Sequence, residues 1–99
     1  MHNWTKLNIV ELELTYSGII GFLKDEGFSS ADAEPLGVHL NIPWPAMSTF
    51  KKNNVGNATG LFFDVIGSWL NLTEPTSEEL ANALDNSNYK RIADGIRGK

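Results

Sequence analysis

The sequence predicts an all-α fold, a bundle of six short helices. Apolar residues recur at helical spacing through most of the chain. Turn-forming residues interrupt them at short intervals: Gly27 to Ser30, Asn41 to Pro45, Asn53 to Asn57, Thr73 to Thr76 and Asn86 to Asn88. Short connections between periodic segments are the mark of a helical bundle. Residues 1–7 read as an N-terminal tail and residues 8–99 as one domain.

The first helix is expected from about Ile9 to Glu26. Leu12, Tyr16, Ile19, Ile20 and Leu23 fall on one face and should be buried. Gly18 and Gly21 each weaken this helix by about 1 kcal/mol relative to Ala. Their spacing would let another helix approach closely. The early part, Leu7 to Leu14, alternates well enough to read as a strand instead.

Ser29, Ser30 or Asp32 can cap a short second helix. With Asp32 as cap, Pro35 lies in the first turn, where no intrahelical N–H bond is lost. Leu36 and Leu40 then point to the core, and Ile42-Pro43 closes the segment because residues before proline avoid the α region. Pro45 suits the opening turn of a third helix carrying Ala46, Met47 and Phe50, with Lys51 and Lys52 near its C-terminus complementing the dipole.

The fourth helix has the strongest pattern. Leu61, Phe62, Val65, Ile66, Trp69 and Leu70 form one stripe, and Asn57 is its expected cap. Asp64 and Ser68 should face water on the other side. Thr76 with Glu79 makes a capping box at the head of a fifth helix whose buried face is Leu80, Ala83 and Leu84. Asn88 is the expected cap of a sixth, with Tyr89, Ile92, Ala93 and Ile96 inward and Lys90, Arg91, Asp94 and Arg97 outward.

Composition narrows the function. The 99 residues are 41% hydrophobic and 20% charged, ordinary values for a globular domain. No apolar run approaches the roughly 20 residues a transmembrane helix needs, which argues against a membrane role. Cysteine is absent, which excludes disulfides, thiolate metal sites and cysteine nucleophiles. No secretory signal is expected, since Met1 to Lys6 has no basic start followed by an apolar stretch. The N-x-S/T triplets at Asn3, Asn57 and Asn71 then read as polar turns and caps.

Eight basic against twelve acidic residues give a net charge of −4, which argues against sequence-independent nucleic-acid binding. A helix-turn-helix-like DNA-binding domain, built on the third and fourth helices, is the alternative function.

Little in the chain reads as catalytic or metal-binding, and no cofactor is expected. His39 has no carboxylate one turn away, and the serines lack a nucleophile-elbow context. Gly56 and Gly60 bracket Asn57-Ala58-Thr59, but no lysine follows as in a phosphate loop. Glu78, Glu79 and Asp85 lack the spacing of a calcium loop.

Surface charge and one aromatic residue point instead to protein contacts. Trp44, between Pro43 and Pro45, is either an exposed interface anchor or a lid folded back on the bundle. Asp25, Glu26, Asp32 and Glu34 cluster at the first connection; Lys51 and Lys52 end the third helix; Lys90 and Arg91 open the sixth. Separate acidic and basic poles permit head-to-tail contact between copies.

From about residue 12 to 97 the chain resembles the death-domain family. Phe28-Ser29-Ser30 and Leu36 to Pro43 are similar to its second helix, an "LG..LGI" pattern followed by a turn. Met47, Phe50 and Asn54 match its third-helix spacing. Phe62 through Trp69-Leu70 resembles its fourth helix with the closing "WL". Pro75-Thr76, Leu80, Ala83 and Leu84 resemble its "T...L..AL", and Ile92-Ala93 with Ile96 the last helix. Ala33 stands where the family carries a tryptophan, a place that Trp4 or Tyr16 would fill.

The resemblance implies an antiparallel Greek-key death fold with no active site, acting in cytoplasmic death or innate-immune signalling. The partner would be a second copy, as in a helical filament, or another death-fold domain. One contact would set Lys51 and Lys52 against Asp25, Glu26 or Asp32. A second would set Asp64 and Glu74 against Asn88, Lys90 and Arg91.

Overall fold

A computed structural model describes residues 15–72 and 75–98. Among them are six α-helices and one 3₁₀ turn: α1 (Tyr16–Asp25), the turn (Ser30–Asp32), α2 (Ala33–His39), α3 (Trp44–Asn53), α4 (Ala58–Leu72), α5 (Ser77–Asn86) and α6 (Lys90–Arg97). The all-helical class is as the sequence predicts, and no strand occurs among the described residues.

The helix starts follow local chemistry. Thr15 is extended, and its hydroxyl accepts the Gly18 N–H at 3.1 Å, so α1 opens at Tyr16. The expected helix therefore does not run unbroken through Thr15; its first stretch, residues 9–14, lies outside the described residues, as does the tail 1–7. Asn57 Oδ1 accepts from Gly60 N–H at 3.0 Å at the head of α4, as expected. Thr76 Oγ1 accepts from Glu79 N–H at 3.0 Å at the head of α5. Asp32 does precede α2, but its carboxylate makes no cap bond there.

Three helices end in one way. After α1, Phe28 N–H bonds Leu23 C=O and Gly27 N–H bonds Lys24 C=O. Ile42 and Asn41 repeat this after α2, and Tyr89 and Asn88 after α5. The pivot residue of each such Schellman turn needs positive φ: Gly27 at 93°, Asn41 at 64° and Asn88 at 72°. Asn tolerates this region better than most side-chain-bearing residues. Asn88 is thus the stop of α5 and not the cap of α6, whose N-cap position is Tyr89. The residue after each pivot is apolar or aromatic and folds back inward: Phe28 and Ile42 are buried, and Tyr89 is half-buried.

The core gathers around α4. Phe62, Val65, Ile66 and Trp69 are each fully buried, as the stripe predicts. Helices α1, α2, α3 and the 3₁₀ turn pack on α4, while α5 pairs with α6 and also touches α2. Phe28 joins the two halves: its ring centroid lies 5.1 Å from that of Phe62 and 4.7 Å from that of Tyr89.

Several expected orientations are corrected. Tyr16 is 44% exposed, so it does not stand in for the core tryptophan that Ala33 replaces; Trp4 lies outside the described residues. Asp64 and Ser68 are half-buried instead of fully exposed, because α3 rises beside that flank of α4 and leaves them lining an open groove. Arg97 keeps only 16% of its side chain exposed and Asp94 only 28%, so neither points freely outward.

Gly21 marks no close helix approach, since a Cβ there would meet nothing within 4 Å. Gly95 in α6 has equally open space. Gly21→Ala and Gly95→Ala are therefore each expected to raise stability by about 0.5–1 kcal/mol, through lower unfolded-state entropy. Urea denaturation followed by circular dichroism checks this.

Candidate protein-interaction surface

Trp44 is the first residue of α3 and does not sit in a connection. Pro43 caps the helix and Pro45 follows in its first turn, so the backbone carrying the indole is restricted on both sides. The side chain is 68% exposed, which decides between anchor and lid in favour of an outward indole. Lys51, two turns on, places its Nζ 5.8 Å from the indole ring centroid. The same ammonium donates to Glu34 Oε2 at 2.9 Å, tying α3 to α2. Both partners are well exposed, so the pair orients Lys51 more than it stabilises the fold.

The acidic side of the first connection is partly occupied from within. Arg91 of α6 donates to Glu26 C=O at 2.8 Å and lies 3.5 Å from Glu26 Oε1. It thereby satisfies a carbonyl at the C-terminal end of α1. Glu26 and Arg91, expected in two different contacts, thus meet inside one molecule.

Asp32 is also engaged. Tyr89 donates its hydroxyl to Asp32 Oδ2 at 2.5 Å and accepts from Ser29 N–H at 3.2 Å. Burial and the bond to Asp32 raise the Tyr89 pKa above its usual 10.0. The folded state then holds this proton where the unfolded chain has lost it. The stabilisation is complete below pH 10 and is lost as pH rises past it. Wild type is expected to lose more stability than Tyr89→Phe between pH 9 and about 11, measured by urea midpoints at each pH.

Asp64 accepts from Asn54 Nδ2 at 2.8 Å, and the same amide nitrogen donates to Phe50 C=O at 2.8 Å. Lys90 pairs with Asp94 at 3.0 Å along α6. Asn88 is exposed at its turn. Glu74 lies outside the described residues. Asp25 and Lys52 are exposed and form no ion pair among the described residues.

Two features escaped the sequence reading. Arg97 lies among Asp85, Glu78 and Asp94 at 3.3, 3.7 and 3.8 Å and donates to Asn82 Oδ1 at 2.5 Å. The spacing of Asp94 and Arg97, three apart on one helix, was the available signal for part of it. The second is an open groove of about 490 Å³ between α1, α3 and α4. Tyr16, Ala46, Phe50 and Phe63 make it apolar, and Asp64, Ser68 and Asn71 make it polar in places. Phe63, beside the main stripe of α4, was the cue for a second apolar flank.

Among the described residues no group of His, Asp or Glu is arranged to hold a metal ion, and no helix is long and apolar enough to cross a membrane. No protein family, curated protein or solved structure matches the chain.

Proposed function

We propose that this chain is a death-fold protein-interaction module that assembles with copies of itself or recruits a like domain in intracellular death or innate-immune signalling. The observation that carries the reading is the outward Trp44 on a proline-restrained helix start, with Lys51 beside the indole and Lys52 next to it in the last turn of the same helix. An aromatic anchor beside cations suits an acidic partner surface. Asp25, exposed at the end of α1 and in no ion pair among the described residues, offers such a charge on a second copy. A contact between two different patches is heterologous and can continue from copy to copy.

The order and spacing of the family-like motifs add support. The DNA-binding alternative has less, because Lys51, Lys90, Arg91 and Arg97 each already face a carboxylate.

Asp25 and Lys52 are the best probes, since changing them breaks no ion pair among the described residues. Asp25→Lys alone, or Lys52→Glu alone, is expected to weaken self-association at least about tenfold. Mixing the two variants should restore it, because each supplies the patch the other lacks. Light scattering of concentrated protein reads the result. A wild type that stays monomeric at all concentrations, or a mixture no better than its components, counts against the homotypic contact.

A further inference from the structure

Helix α3 is held to the fold by a single buried side chain, Met47. Helices α1, α2, α5 and α6 each bury three or more residues, and α4 buries Phe62, Val65, Ile66 and Trp69. Met47 has a shaped seat. Gly37 carries no Cβ, and one built there would lie 2.7 Å from Met47 Sδ and 3.2 Å from Val65 Cγ2. On its other flank α3 meets the open groove, where Ala46 and Phe50 are only half-buried.

The polar ties of α3 add little. Lys51 and Glu34 pair at 2.9 Å with side chains 40% and 46% exposed, a setting in which ion pairs contribute little stability. Asn54 binds Asp64 just past the helix end, and no side chain caps the helix start. The chain on both sides is better fixed: Ile42 is buried, and Asn57 bonds Gly60 at the head of α4.

We infer that residues 43–56 open and close as one unit, α3 leaving α2 and α4 while the other five helices stay packed. Ten residues are too few for an isolated helix to persist in water, so opening also unwinds α3. Trp44 and Lys51 keep their 5.8 Å arrangement only across two intact turns. The surface proposed above therefore exists in the closed state alone, and a partner that binds it holds the unit shut. That consequence rests on the proposed function, whereas the opening itself does not.

Amide hydrogen exchange on the full chain, kept dilute enough to be monomeric, tests the opening. Amides of residues 48–53 are expected to exchange at least about tenfold faster than the slowest amides of α4. A smaller difference overturns the inference. Ile96→Val then separates local from global opening. Ile96 is buried in α6, whose chief packing partner is α5. Losing its methyl should speed the slowest amides of the chain about fivefold, because these exchange by global unfolding. The α3 amides should stay within about twofold of wild type, since position 96 is still buried when α3 is open. Equal acceleration means that α3 opens only with the whole fold, and overturns the inference.

Low concentrations of urea give a second reading. The slowest amides should quicken steeply with urea and the α3 amides only weakly, because a local opening exposes little surface. Equal slopes overturn the inference. Self-association is read separately, by light scattering of concentrated protein, so its failure leaves this result standing and the reverse also holds.

Discussion

Trp69→Ala is expected to cost about 3–5 kcal/mol, a large part of the stability of a domain of this size. The indole is fully buried at the centre of the α4 stripe, so truncation opens a cavity where four other elements converge on that helix. A second cost adds to it. Trp69 Nε1–H donates to Glu79 Oε1 at 2.9 Å, and removal takes this donor from the carboxylate.

Trp69→Phe separates the two effects. It retains most of the ring and loses the donor, and should cost about 1–2 kcal/mol in addition to a modest packing loss. A double-mutant cycle with Glu79→Ala, followed by urea unfolding and far-ultraviolet circular dichroism, measures the coupling. Coupling near zero would mean that the bond to Glu79 contributes nothing.

Arg97→Ala should be the most damaging change among the charged residues, at about 2–3 kcal/mol. That lies below the 3–5 kcal/mol typical of breaking a fully buried pair, because the carboxylates around Arg97 are partly exposed. Among the described residues the guanidinium is the only cation within ion-pair distance of Glu78 and Asp85, and it shares Asp94 with Lys90. Removing it leaves three carboxylates at the junction of α5 and α6.

Salt gives the diagnostic. Raising sodium chloride to 1 M shortens the screening length to about 3 Å, and should recover part of the loss in Arg97→Ala. Arg97→Lys should recover less than half of the loss, since an ammonium lacks the planar fork that spans Asn82 and Asp85 together. A salt response equal to that of wild type would contradict the electrostatic account.

The elements legible in the sequence share a property: each is set by residues within about one turn of each other. Thr76 and Glu79 open α5 through a bond between neighbours three apart, and Asn57 does the same for α4. Pro43 and Pro45 determine where α3 begins. The stripe of Phe62, Val65, Ile66 and Trp69 is legible for the same reason, since helical periodicity alone puts those side chains on one face.

The misread positions sit where that locality ends. Asn88 carries a side chain suited both to capping a helix and to a left-handed turn, and the bond from Tyr89 N–H back to Leu84 selects the turn. Of the candidate interface residues, Trp44 was legible as a stiffly held indole, but not as an outward one. Asp64 lies on the polar side of α4 by periodicity, yet α3 brings Asn54 against it.

What the amino-acid order determined alone was the set of helices, the starts of α4 and α5 and the buried face of α4, because these depend on hydrogen bonds and spacing within a single turn. Only the tertiary arrangement decided the partners of the surface charges. Arg91 reaches Glu26 and Tyr89 reaches Asp32 across more than fifty residues of chain. Such pairs form only after packing brings the start of α6 against the α1–α2 connection, and no periodicity encodes which helix ends will meet.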